Sequence, residues 1–291
     1  MSQLSLRPYL LREERSGDLA VFRVLLAVYG ALFGVVRLDY LLGFRHQPAT
    51  SFQPIGLARL WDHFPSNGIW LTLCLSLTPL ALVWLWGRWP VVGLLYAGVL
   101  TLTLSFSNAF GMILHTENLL CLHVIIVAIG SQRVSRSAAS TLFTPATTLY
   151  LCAWATALAY LISGTAKLRL GGFAFLSGDT LQTHIAVDNL RKILLGDSSS
   201  PLAEFALRQD ALAGTAAVVV LALELAAPLA LWWRRGALVW SALMWLFHLG
   251  VLALMAIAFV YPLVGMAFAP FLPLGAWVRR LSVRRRDLAR S

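Results

Sequence analysis

Of the 23 basic residues in this 291-residue chain, 21 are arginine and two are lysine, Lys167 and Lys192. Lys167 closes the apolar stretch Ser163-Gly164-Thr165-Ala166-Lys167-Leu168, and lysine in place of arginine has chemical content there. An ammonium group withdrawn from water releases its proton more easily, so a half-buried lysine acts as a base at neutral pH where arginine stays charged. A lysine at a helix end also snorkels to the surface and serves as a charge alone. Position leaves both readings open.

The other ionisable groups inside apolar stretches are costly to keep there and are therefore candidate sites. Glu224 and His248 fall near the middles of two successive stretches. Antiparallel neighbours with a short link bring such residues to similar depth, where they either glue helices together or relay protons toward a pocket. Pro228, one turn beyond Glu224, frees a backbone carbonyl and favours a kink beside them. Arg23 and Arg37 stand ~21 Å apart along a common helix, with Asp39 just beyond. Arg37 and Asp39 either mark the outer interface or clamp an anion or a carboxylate. His115, Glu117, Asn118 and His123 open another apolar stretch, as solvated interface groups or as groups that orient a substrate and shuttle a proton. The His115–His123 spacing is not a metal-ligand spacing, and no metal is expected.

The elements that must hold these residues follow from composition. Hydrophobic residues make up 59% of the chain and charged residues 12%, with a mean hydropathy of +0.75, which excludes an ordinary soluble domain. The class is all-α, a polytopic transmembrane helix bundle. Hydropathy predicts about eight spans, at 18–43, 68–86, 90–113, 118–131, 146–168, 211–233, 236–259 and 262–278. Residues 1–17 form a cytoplasmic segment, 18–278 one membrane domain, and 279–291 a basic cytoplasmic tail. The first span is too long and too poorly flanked for a cleaved signal and is expected to stay.

Orientation follows from arginine. With both termini in the cytoplasm of an inner-membrane protein, the inside segments hold fourteen arginines and the outside segments six basic residues, which acidic neighbours offset. A net charge of +10 thus reads as topology, and no nucleic acid is expected as a partner; membrane lipids are. The outer connections, 44–67 and 169–210, are long enough to carry function or helices of their own. Ser200-Pro201 reads as the start of a short helix through Phe205, lying along the outer interface.

Cys74, Cys121 and Cys152 are far apart in sequence, so no Cys-x-x-Cys pair exchanges thiols with a quinone. No phosphate loop, metalloprotease helix or Gly-x-Ser-x-Gly elbow occurs.

The stretch Tyr160-Leu-Ile-Ser-Gly164-Thr-Ala-Lys167-Leu168, followed by Phe175-Leu-Ser-Gly178, resembles a segment of the vitamin K-dependent gamma-carboxylases and the bacterial HTTM (horizontally transferred transmembrane domain) proteins. There a helix ends in Gly-x-x-Lys-Leu and an aromatic-x-x-Gly element follows. Glu224-Leu-Ala-Ala-Pro228, His248-Leu-Gly and the arginine-bearing first span resemble the same family, over roughly 18–275. The resemblance implies a bundle of eight or nine helices with Lys167 in the place of the catalytic base. In the carboxylases that lysine deprotonates a reduced quinone, oxygen then generates a strong base, and carbon dioxide adds to a carbanion beside a glutamate carboxylate. By carry-over, Lys167, His115, Asn118 and His248 stand as catalytic candidates, and Arg37, Asp39, Tyr160, Arg169 and Glu224 as substrate-binding ones. A reduced quinone is the implied cofactor, and the implied reaction is lyase-type carboxylation of a small or peptide substrate from a pocket open to the outside. The alternatives are a peptide-maturation factor, or a non-catalytic protein that binds lipid or transports a small anion, with Arg37, Lys167 and Arg169 attracting a carboxylate.

Overall fold

The structure is a computed structural model that describes residues 8–11, 15–111, 113, 115–134 and 143–288, apart from the side chains of 115–116, 132–134 and 284–288. Among these residues it is all helix, without a strand. In chain order the α-helices are α1 Ser16–Val36, α2 Leu38–Gly43, α3 Asn67–Trp86, α4 Pro90–Asn108, α5 His115–Val134 and α6 Pro145–Gly171. They continue with α7 Asp179–Leu194, α8 Ala203–Leu207, α9 Asp210–Leu225, α10 Arg234–Met255, α11 Val260–Leu263 and α12 Leu274–Leu288. Five stretches are long and apolar enough to cross a membrane: Ser16–Val36, Asn67–Trp86, Pro90–Asn108, Pro145–Ser177 and Arg234–Met255, with a shorter apolar helix at Glu117–Ser131.

The chain divides into two compact units, one of residues 13–152 with 272–291 and one of 1–12 with 153–271. In the first, α1 packs on α3 and α12, and α4 on α3 and α5. Small residues set the close approaches: a β-carbon at Gly34 would lie 2.5 Å from Thr78 Oγ1, and one at Gly30 would lie 2.2 Å from Tyr96 Oη. The 44–67 connection has three 3-10 turns, at Phe44–His46, Ala49–Ser51 and Gly56–Leu60. They lay Phe44, Phe52 and Phe64 against Trp70, Phe106 and Phe110 with ring centroids 4.9–6.4 Å apart. This aromatic packing gives the long connection a fixed structure.

In the second unit α7 and α8 fold back on α9 and α10, so the long 169–210 connection carries helices of its own. Ser200 Oγ accepts the Leu202 N–H at 3.1 Å, but α8 begins at Ala203 with Leu202 at its N-cap and no side-chain cap, so Ser200 stands two residues before the position expected of it. On α7 the apolar Val187, Leu190 and Leu194 are exposed at helical spacing, a face suited to the membrane interface.

Two expected spans differ in form. The span at 211–233 is α9, sixteen residues long, followed by a 3-10 helix at Ala227–Leu231. Pro228 lacks an N–H and its ring clashes with the carbonyl of Glu224, so α-helical bonding stops at Leu225. The span at 262–278 is not one helix. Pro262, Gly265, Pro270 and Pro273 divide it into α11, a turn, a 3-10 helix at Ala269–Phe271 and the start of α12. The basic segment expected as a tail is therefore part of α12, whose entry is capped: Asp18 Oδ1 accepts the Gly275 N–H at 2.6 Å, Arg15 Nε holds Asp18 Oδ2 at 2.7 Å, and Arg15 Nη2 donates to Leu272 O at 2.7 Å. A carboxylate at the amino end of a helix is favourably placed against the helix dipole.

Candidate functional site

Tyr160, Ser163, Gly164 and Lys167 follow the i, i+3, i+4, i+7 pattern and so share one face of α6. Gly164 is the position that lets α9 approach: a β-carbon there would lie 3.0 Å from Glu224 Cβ and 3.2 Å from Leu225 Cδ2. That approach sets Glu224 opposite Lys167. Lys167 Nζ donates to Glu224 Oε1 at 2.6 Å, to Glu224 Oε2 at 2.7 Å and to Ser163 Oγ at 2.7 Å. Ser163 Oγ donates in turn to Glu224 Oε1 at 3.0 Å. The three donors of an ammonium group are thus all used. The side chains differ in exposure, 28% for Lys167 and 2% for Glu224, so the carboxylate is enclosed while the lysine reaches the surface.

Lower on the same face, Tyr160 Oη and His248 Nε2 are 2.7 Å apart. Phe247, Phe259 and Phe268 surround the imidazole with ring centroids 5.0–6.5 Å away, and Trp240 and Phe268 flank Tyr160 at 5.4 and 6.2 Å. His248 Nδ1 is buried without a hydrogen-bond partner. Whichever nitrogen carries the proton, one polar ring atom is left unpaired.

In the first unit Arg37 donates through Nε to Glu117 Oε1 at 2.9 Å, with a second, very short bond from Nη2 to the same oxygen. The guanidinium lies 4.4 Å from the Tyr40 ring centre. The carboxylate that Arg37 clamps is therefore one of the protein's own. Asn118 Oδ1 accepts from Asn108 Nδ2 at 3.0 Å, tying α5 to α4. Asp39 and Arg169 are exposed and join neither centre. His115 opens α5, and its side chain lies outside the described residues. His123 is fully buried, with Nε2 3.0 Å from Cys152 O and its ring against Phe22, the setting of a core histidine.

The second lysine is the feature that sequence reasoning passed over. Lys192 Nζ donates to Asp188 Oδ2 at 2.8 Å and, by a very short bond, to Met255 O. Asn189 Nδ2 reaches Leu254 O at 2.9 Å, and Ser200 Oγ makes a very short bond to Ala253 O. Three side chains thus cap the last three carbonyls of α10, which ends at Ala256 in the left-handed conformation, φ +49°. Burial pushes the Asp188 carboxyl up, but hydrogen bonds from Lys192 and Arg191 outweigh it and hold the group below the usual carboxylate value. The rarity of lysine in the chain was a signal that applied to Lys192 as well as to Lys167.

Among the described residues no three His, Cys, Asp or Glu side chains converge as a metal-ligand set. Comparison of the chain with family models, with curated proteins and with solved structures gives no match in any of the three.

Proposed function

We propose that this is an inner-membrane protein of the HTTM and gamma-carboxylase-like kind, in which the Lys167–Glu224–Ser163 cluster exchanges protons with a lipid-soluble hydroxylic ligand. The observation that carries the reading is a lysine at the end of an apolar helix, reaching the surface on one side and hydrogen-bonded on the other to an enclosed glutamate. In this reading the chain crosses the membrane about eight times, with α5 and α9 as short crossings and the broken 262–278 segment as the last, and the arginine asymmetry favours both termini in the cytoplasm.

The pair is net neutral, which makes it tolerable in a low-dielectric setting. One proton lies between Nζ and the carboxylate, and with that proton on Glu224 the amine has a free lone pair. Lys167 then takes a proton at Nζ from the ligand, Ser163 Oγ holds the ammonium so formed, and the cluster gains one positive charge. Tyr160 fixes the His248 ring through Nε2, which leaves Nδ1 to orient the ligand. A reduced quinone, when bound, supplies the acidic hydroxyl and the reducing electrons for oxygen. Arginine at 167 would keep the ion pair and lose the proton exchange.

One observation favours a second reading, in which Lys167 only holds charge. All three of its donors are engaged within the protein, as suits a fixed cation that only holds α9 against α6 in a non-catalytic lipid-binding or transport protein. The experiment that separates the two supplies purified protein with reduced menaquinone, oxygen, bicarbonate and a glutamate peptide. Quinone epoxide and carboxylated peptide are then measured by mass spectrometry. Epoxide from the wild type that is lost in both Lys167→Ala and Lys167→Arg supports the base. A folded wild type that makes none overturns it in favour of the fixed cation.

A further inference from the structure

A cavity of about 330 Å³ lies in the first unit, at the opposite end of α1 from Arg37, where α1 begins and α3 ends; Arg23, Arg88, Ser16, Ser131 and Trp84 are among its lining residues. Among the described residues that line it, none is acidic. Arg23 is held in place by one edge: Nη1 donates to Trp84 O at 2.6 Å and to Leu85 O at 3.4 Å, capping the carbonyl end of α3. Its Nε and Nη2 make no hydrogen bond to another described residue. Gly87, at φ +69°, gives the guanidinium room, since a β-carbon there would lie 2.9 Å from Nη2. The next residue, Arg88, is exposed and sits 5.9 Å from the Trp89 ring centre. A third guanidinium comes from α12: a β-carbon at Gly17, next to the lining residue Ser16, would lie 3.1 Å from Arg279 Nη1. Trp86, Trp89 and Trp277 are exposed at this end, the residue type that gathers at headgroup depth in a membrane.

We infer that this cavity binds a phosphate group, carried by an acidic phospholipid or free in solution. Guanidinium forks match phosphate oxygens in pairs of parallel hydrogen bonds. Arg23 supplies a preformed fork with two nitrogens to spare, Arg88 supplies a flexible one, Arg279 stands beside the lining at Gly17, and Ser131 supplies a hydroxyl. Three cations drawn from α1, the α3–α4 link and α12 repel one another, and a bound anion removes that repulsion. The site also accounts for why α12, rich in arginine, is docked by its capped end against the start of α1. It does not rest on the reading of Lys167.

The test uses the full chain in a non-ionic detergent, titrated with dioctanoyl phosphatidylglycerol, dioctanoyl phosphatidylcholine or inorganic phosphate, with unfolding temperature as the readout. Phosphatidylglycerol is expected to raise the unfolding temperature saturably. Arg88→Ala and Arg279→Ala, which leave the α3 cap intact, should each shift the half-saturation point upward by about ten-fold, the loss of one charge-assisted contact. Arg59→Ala, an exposed arginine of the 44–67 connection, serves as the unaffected control. Stabilisation by inorganic phosphate at similar concentration upholds the site with a soluble anion as its source, and stabilisation by phosphatidylglycerol alone assigns it to the lipid. An equal response to phosphatidylcholine, or Arg88→Ala and Arg279→Ala variants that titrate like the wild type, overturns the inference.

Discussion

Each unit of the molecule sets one basic side chain against one glutamate, and the two pairs differ in the cation and in its geometry. In the first, Arg37 meets Glu117 through two nitrogens on one oxygen and lies over Tyr40. In the second, Lys167 meets both oxygens of Glu224 and the hydroxyl of Ser163. Arginine keeps its proton at every pH a protein meets, so the first pair is a fixed strut between α1 and α5. Lysine in the same role holds a proton that can move to its partner. The difference teaches that burial and pairing alone do not decide whether a pair can exchange protons; the identity of the cation sets that limit, because only the lysine pair has chemistry that permits it.

The comparison breaks first at Lys167. Lys167→Ala leaves the enclosed Glu224 carboxylate without its cation, and truncating one member of a buried pair costs on the order of 3–5 kcal/mol. Thermal unfolding in detergent should register it, with much of the loss recovered in Lys167→Met combined with Glu224→Leu, which removes both charges together. Arg37→Ala should cost less, because the Arg37 side chain is 33% exposed and Glu117 is 10% exposed, so water replaces part of what is lost. An Arg37→Ala loss equal to or larger than that of Lys167→Ala would erase the distinction.

A smaller effect is expected at Gly164. A methyl group there would press on Glu224 Cβ and Leu225, and overpacking of this kind costs roughly 1–3 kcal/mol. The sharper readout is functional. In Gly164→Ala, α9 moves off α6, and any activity that depends on Lys167 and Glu224 should fall further than stability does. Gly34→Ala on α1, which meets Thr78, should lower stability and leave that activity in place once the protein is folded.

Sequence arithmetic reached the residues of both pairs but not the partnerships. Depth along antiparallel helices suggested Glu224 beside His248, whereas the structure gives Glu224 to Lys167 and His248 to Tyr160. Depth is readable from position in an apolar stretch; the rotation of a helix about its axis is not, and here it is fixed by the close contact at Gly164. Arg37 and Glu117 were both visible, on different helices, with nothing local to join them. Hydropathy likewise located apolar segments well and their continuity poorly. Pro228 ends α9, and Pro262, Gly265, Pro270 and Pro273 interrupt the last segment; a window average counts these residues as mildly unfavourable, whereas proline's missing N–H and ring clash and the positive φ of Gly265 break α-helical continuity.

Next in size is Tyr160→Phe. It removes the one hydrogen bond of His248, leaving both ring nitrogens buried and unpaired, at a cost of about 1–2 kcal/mol by chemical or thermal unfolding. If Nδ1 serves a ligand, the same variant should weaken ligand binding more than it lowers stability, because the imidazole is then free to turn.

The smallest effect belongs to a third pair, Asp188 with Lys192, which caps α10 from α7 with side chains 16% and 8% exposed. The Asp188 carboxyl is held below its ordinary value of 3.8 by Lys192 and Arg191. A carboxyl with a lowered pKa in the folded state stabilises the fold above its unfolded value and loses that contribution as pH falls through the folded one. Acid unfolding should therefore show a component below about pH 4 that is absent in Asp188→Asn. At neutral pH the same substitution should cost about 1 kcal/mol, because an amide oxygen still accepts from Lys192 and Lys192 keeps its bond to Met255 O. If Asp188→Asn cost as much as Lys167→Ala, the depth of the Lys167–Glu224 pair would not be what sets it apart, and the contrast among the three pairs would have to be rebuilt on the capping of α10.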